Sequence, residues 1–98
     1  MLFEVTWDFI DTSETGSKRS LQLFSKWTPG PAQFQGFYAY ADGGGGLALI
    51  EAVDAAALAR TMAPWTPFLK FTTRPLVPIQ ESAKINGEAI AWREANSK

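Results

Sequence analysis

The sequence predicts a single two-layer α+β domain of the split βαβ kind, and three observations predict it. The first ten residues alternate apolar and polar side chains. Two strand-like runs are each followed by a short helical stripe, and a run of glycines joins the middle two strand-like runs as a hairpin.

Met1 to Ile10 places Phe3, Val5, Trp7 and Phe9 on one side and Leu2, Glu4, Thr6 and Asp8 on the other. This is the period of a strand. Asp11 to Gly16 is a cluster of turn and capping residues, and a helix follows from near Thr15–Ser17. Leu21, Phe24 and Trp27, joined by Leu23, form its apolar stripe. Thr28-Pro29-Gly30-Pro31 ends it, because proline lacks the amide hydrogen and restricts the residue before it.

Phe34 to Ala41 and Gly46 to Val53 read as the second and third strands. Asp42 to Gly46 joins them as a flexible hairpin. A phosphate-cradling loop would need a helix N-terminus after the glycines, and a strand follows instead. Asp54 caps a second helix, Ala55 to Met62, which Pro64 stops. Phe68 to about Val77 reads as a fourth strand, at a sheet edge because of Pro75 and Pro78. Gln80 to Glu94 is a weaker helix, with Ile85, Ala89 and Trp92 on one stripe and Gly87 interrupting it.

The order β-α-β-β-α-β-α gives an antiparallel sheet in spatial order 4-1-3-2, with both crossover helices on one face. That is the ferredoxin-like arrangement. Residues 1–78 form its core, and 79–98 add a C-terminal helix and tail to the same domain.

Composition narrows the partners. A chain of 98 residues buries only about 60–65% of its unfolded surface. Four Trp, seven Phe and two Tyr are more aromatic area than one small core hides, so a homodimer is predicted. A net charge of −1 predicts no nucleic-acid partner. Apolar runs far short of a span, and an opening without a charged leader, predict no membrane partner and a cytoplasmic location. With no Cys and no His, thiolate nucleophiles, imidazole bases and His or Cys haem ligation are excluded. Zinc rarely uses carboxylates alone, so no metal and no cofactor are predicted.

Several segments look familiar in their order and spacing: Met1-Leu2-Phe3-Glu4-Val5-Thr6-Trp7, Lys26-Trp27-Thr28-Pro29-Gly30, the strand entry Gly44 to Glu51, Ala63-Pro64-Trp65, and Phe71-Thr72-Thr73-Arg74-Pro75. Over about residues 1–80 they resemble the small bacterial family known as domain of unknown function 3303. The resemblance implies a dimeric α/β barrel, in which two ferredoxin-like sheets face each other. It brings no activity and no catalytic residue.

With the helices over Phe3, Val5, Trp7, Phe9, Ala48, Ile50, Ala52, Leu69 and Phe71, the other sheet face carries a mixed set. Leu2, Glu4, Thr6 and Asp8 come from the first strand, Tyr38 and Tyr40 from the second, and Leu47, Leu49, Glu51 and Val53 from the third. Phe68, Lys70, Thr72 and Arg74 come from the fourth. Such a face marks an interaction surface. Of its polar members and tyrosines, Glu4, Thr6, Tyr38, Tyr40, Glu51, Lys70, Thr72 and Arg74 are the candidate site. The simpler reading is a dimer interface in which Glu4 and Glu51 pair with Lys70 and Arg74. The sharper one is a cavity for a small organic ligand between two such faces. Glu4 and Asp8 share a side of one strand but read as ordinary surface acids, and Trp27 and Trp65, beside prolines, read as packing lids. The function predicted is a non-catalytic dimeric module that assembles or binds a small organic ligand between sheet faces. The alternative is a cofactor-independent enzyme of the oxygenase or isomerase kind, with a Tyr or carboxylate moving the proton.

Overall fold

The alternating segments pair into one antiparallel sheet in the computed structural model, which describes residues 1–97; position 98 of the predicted domain lies outside the described residues. Strands β1 (Leu2–Phe9), β2 (Gln33–Ala39), β3 (Gly45–Glu51) and β4 (Leu69–Pro75) lie in the order β2-β3-β1-β4. Helices α1 (Glu14–Lys26), α2 (Ala55–Met62) and α3 (Ile79–Asn96) complete the chain order β-α-β-β-α-β-α. The fold is the ferredoxin-like one, with β4 at an edge as its prolines require.

β1 is central because one whole side of it is apolar. Val5 lies between Ala48 of β3 and Thr73 of β4, and Val5 and Ile50 are fully buried. α2 closes this end of the core by packing Ala57, Leu58 and Met62 against Phe3, Val5, Ala48 and Ile50. Its start is fixed by Asp54, whose carboxylate accepts from the Ala57 amide at 2.8 Å. At α1 the Ser13 hydroxyl accepts from the Gly16 amide at 3.0 Å, so the helix begins at Glu14, slightly before the expected start. Hydrogen bonds from the Ser13 side chain and backbone hold the Asp11 carboxyl below its usual pKa.

The two crossover helices differ in how they meet the sheet. α1 buries only Gly16, and of its stripe only Trp27, at the helix end, packs against the core: Leu21 is 73% exposed, with Leu23 and Phe24 also exposed. The glycine run also does more than turn. Gly43 takes the left-handed conformation at φ 78° as the hairpin requires, but Gly45 and Gly46 belong to β3. A Cβ on Gly46 would overlap the Trp7 indole and the Tyr38 carbonyl, so its bareness lets Trp7 lie across β3.

In β2 the register slips between Phe34 and Gly36, leaving Gln35 as the extra residue of a bulge. Phe34 pairs with Ile50 and Phe37 with Ala48, so both rings point to the helix side although they are three residues apart. Finally, α3 runs unbroken through Gly87, longer than its sequence suggests, yet buries no residue.

Candidate functional site

Between α1 and the sheet lies a cavity of about 430 Å³, within the size range of small-molecule sites. α1 supplies Ser20, Leu21 and Phe24 as one wall, with Trp27 just beyond the helix. The sheet supplies Trp7 and Phe9 from β1, Phe34 and Phe37 from β2, and Leu69 and Phe71 from β4. Met62, Trp65 and Phe68 close the end near α2.

The walls are mutually packed rings. Phe34 and Phe37 lie 4.7 Å apart between centroids, and Trp7 meets Phe37 edge-on at 5.5 Å. Trp27 stands edge-to-face on both Trp65, at 5.3 Å and 81°, and Phe34, at 5.7 Å and 86°. These are the arrangements that aromatic quadrupoles favour. Phe24 is the link from α1, touching Trp27, Phe37 and Trp65 at about 6 Å. Bulky rings therefore fill the space between α1 and β2 without filling the centre.

The cavity is nearly devoid of polar groups. Among the described residues its lining carries no carboxylate, ammonium or guanidinium group. Tyr38 borders it, but the phenol ring is turned to the other face of the sheet, where it lies beside Gly36. That leaves the Ser20 hydroxyl, which donates weakly to the Ser17 carbonyl at 3.5 Å, and the indole N–H groups of Trp7, Trp27 and Trp65. Trp65 is 7% exposed, and its Nε1 is buried with no hydrogen-bond partner among the described residues. An unpaired buried donor costs about 1–3 kcal/mol. The half-open site can seat a flat apolar molecule against its rings; the Trp65 N–H lies buried behind its surface, and no carboxylate lines the space to take a proton.

The residues predicted for the site lie on the opposite face. Register places Glu4 beside Arg74 and Leu49, Thr6 beside Thr72 and Leu47, and Tyr38 beside Leu47, all on the side away from the helices. Lys70 stands beside Asp8 on that side, and Glu51 opposite Leu2. Tyr40 follows the end of β2, its amide donating to the Gly45 carbonyl at 2.9 Å. Arg74 Nη1 approaches Glu4 Oε1 at 3.8 Å, a loose pair with Arg74 73% exposed.

Glu51 does not pair with β4, contrary to expectation. β1 separates the two strands, and the Met1 amino group lies nearer: it donates to Glu51 Oε1 and to the Ala52 carbonyl, both at 2.8 Å. Phe68 is also displaced from its expected face. It precedes β4, so strand alternation does not govern it, and its ring packs on Trp65 at 6.3 Å. Trp27 and Trp65 do pack as lids, and what they cover is the cavity. Phe34, Phe37 and Phe68 were not legible as site residues, and Trp7, Phe9, Leu69 and Phe71 read as solid core. The one sequence signal was the aromatic excess itself.

Among the described residues no helix is long and apolar enough to cross a membrane, and no group of three or more Asp or Glu is placed to hold a metal. A family model described as domain of unknown function (DUF3303) matches residues 1–90, past β4 and into α3. The chain belongs to that family. Comparison with curated proteins finds none that matches it.

Proposed function

We propose that the protein is a non-catalytic, homodimeric module that binds a small uncharged organic molecule carrying an aromatic ring and one hydrogen-bond acceptor. The cavity beneath α1 carries this reading. Its ring-lined walls would remove about 150 Å² of apolar ligand surface from water, worth roughly 4 kcal/mol. A charged ligand would lose its hydration there and find no counter-ion. An acceptor oxygen would satisfy the Trp65 N–H once the rings around it part. A cofactor-independent enzyme would need a base against its substrate, and Glu4 and the Tyr38 phenol belong to the other face. That face, with Leu47 and Leu49 at its centre, is the surface for the second copy.

The test is a thermal-shift comparison of acetophenone, p-cresol and benzoate on the wild type and on Arg74→Gln. The two neutral compounds should raise the melting temperature of both proteins; a ligand at a hundred times its Kd adds about 2.7 kcal/mol. Arg74→Gln itself should change stability by less than about 1 kcal/mol, since the pair is loose and exposed. Stabilisation by benzoate alone, lost in Arg74→Gln, would move the site to the open face. No stabilisation by any of the three would overturn the binding reading.

A further inference from the structure

α3 stands away from the rest of the chain. The molecule measures 63 × 27 × 20 Å, and its radius of gyration is 18.2 Å, against roughly 13 Å for a compact chain of this length. An 18-residue helix is about 27 Å long, which accounts for the extension. The connection holds the helix out. The Leu76 amide still donates to the Leu2 carbonyl at 2.8 Å, and Pro78 is extended at φ −53° and ψ 143°, so only Val77 is free to turn the chain.

Nothing in an isolated chain explains why such a helix forms, because single helices of this length are marginal in water. Yet it carries large apolar side chains that nothing in its own chain covers. At 100° per residue, Ile85, Ala89 and Trp92 form one strip and Ile79, Ala83 and Ile90 a second, roughly a third of a turn away, with Ser82, Asn86 and Arg93 between them. Gln80, Lys84 and Glu88 fall on the remaining side, and Glu81 borders the strip of Trp92. Ile79 is 75% and Trp92 68% exposed, and the exposed Leu76 and Val77 continue the apolar strip back to the edge of the sheet.

The area involved is that of an interface. The accessible surface is 7250 Å², about 1,700 Å² more than expected for a compact chain of this mass. Two chains would hide roughly 3,400 Å² by covering that excess, the size of an obligate dimer interface. The open sheet face, about 20 by 23 Å, supplies under half of it. The rest is the arm.

We infer that α3 is an exchanged arm, which lays its strip of Ile85, Ala89 and Trp92 on a second copy of this chain and receives that copy's arm in return. This rests on the homodimer of the proposed function and adds the element that builds it.

Light scattering on the full chain at tens of micromolar should give twice 10.8 kDa. The I85E/W92E variant should give the monomer mass while keeping a cooperative melt, since neither side chain is buried within its own chain. Hydrogen exchange on the wild type supplies a second reading if the variant fails to fold: amides in 79–96 should be protected, and lose protection on dilution. A dimer that survives I85E/W92E, or an arm unprotected at every concentration, would overturn the exchanged arm while leaving a dimer through the sheet faces intact. A wild-type monomer would overturn both.

Discussion

Replacing Gly46 with valine should destabilise the protein by about 3 kcal/mol or more, the upper end for overpacking a core. The added carbons would occupy the space of the Trp7 indole and of the Tyr38 main-chain carbonyl. An indole can swing away, although only by abandoning the cavity wall; a carbonyl inside a ladder cannot. Loss of near-ultraviolet circular dichroism and a large fall in the urea midpoint should accompany the change. Gly87→Ala is the control, because a Cβ there meets nothing within 4 Å and should add up to about 1 kcal/mol of helix stability. A Gly46→Val protein as stable as the wild type would show that Trp7 does not lie across β3.

The second large effect is expected at Trp65. Trp65→Ala removes a buried indole that packs on Trp27, Phe24 and Phe68 and should cost about 3–5 kcal/mol by thermal or denaturant melting. Trp65→Phe keeps a ring in place and deletes the unpartnered N–H, so much of that loss should be spared. The same variant separates packing from recognition. Acetophenone, which has a carbonyl acceptor, should bind roughly tenfold more weakly, the value of one hydrogen bond of about 1.4 kcal/mol. Toluene, which has none, should bind Trp65→Phe as it binds the wild type. Equal losses for both ligands would leave the indole as a wall only.

The sheet was legible because its signals are local. Period-two alternation marked β1, glycines marked the hairpin, and Asp54 marked the start of α2 at the residue where it begins. The cavity was not legible, for two physical reasons. The bulge in β2 breaks the alternation that assigns residues to faces, so Phe34 and Phe37 could not be placed together from spacing. And an apolar stripe such as Leu21-Phe24-Trp27 looks the same whether the helix above it presses on a core or stands off on a ring of aromatics. The candidate residues Glu4, Thr6, Thr72 and Arg74 share a face because alternation held through β1 and β4. What alternation could not supply was which face is hollow. α3 was legible only as Gln80 to Glu94, because no capping side chain marks its start at Ile79.

The most direct measurement uses the four indoles as reporters. Trp7, Trp27 and Trp65 line the cavity, and Trp92 lies on the arm. In ¹H–¹⁵N spectra of the full chain titrated with acetophenone, the indole N–H signals of Trp7, Trp27 and Trp65 should move together and saturate at one ligand concentration, with the Trp65 shift the largest. Trp92 should stay in place. Movement of Trp92 alone, or of none of the four while acetophenone still raises the melting temperature, would contradict the cavity beneath α1 as the binding site.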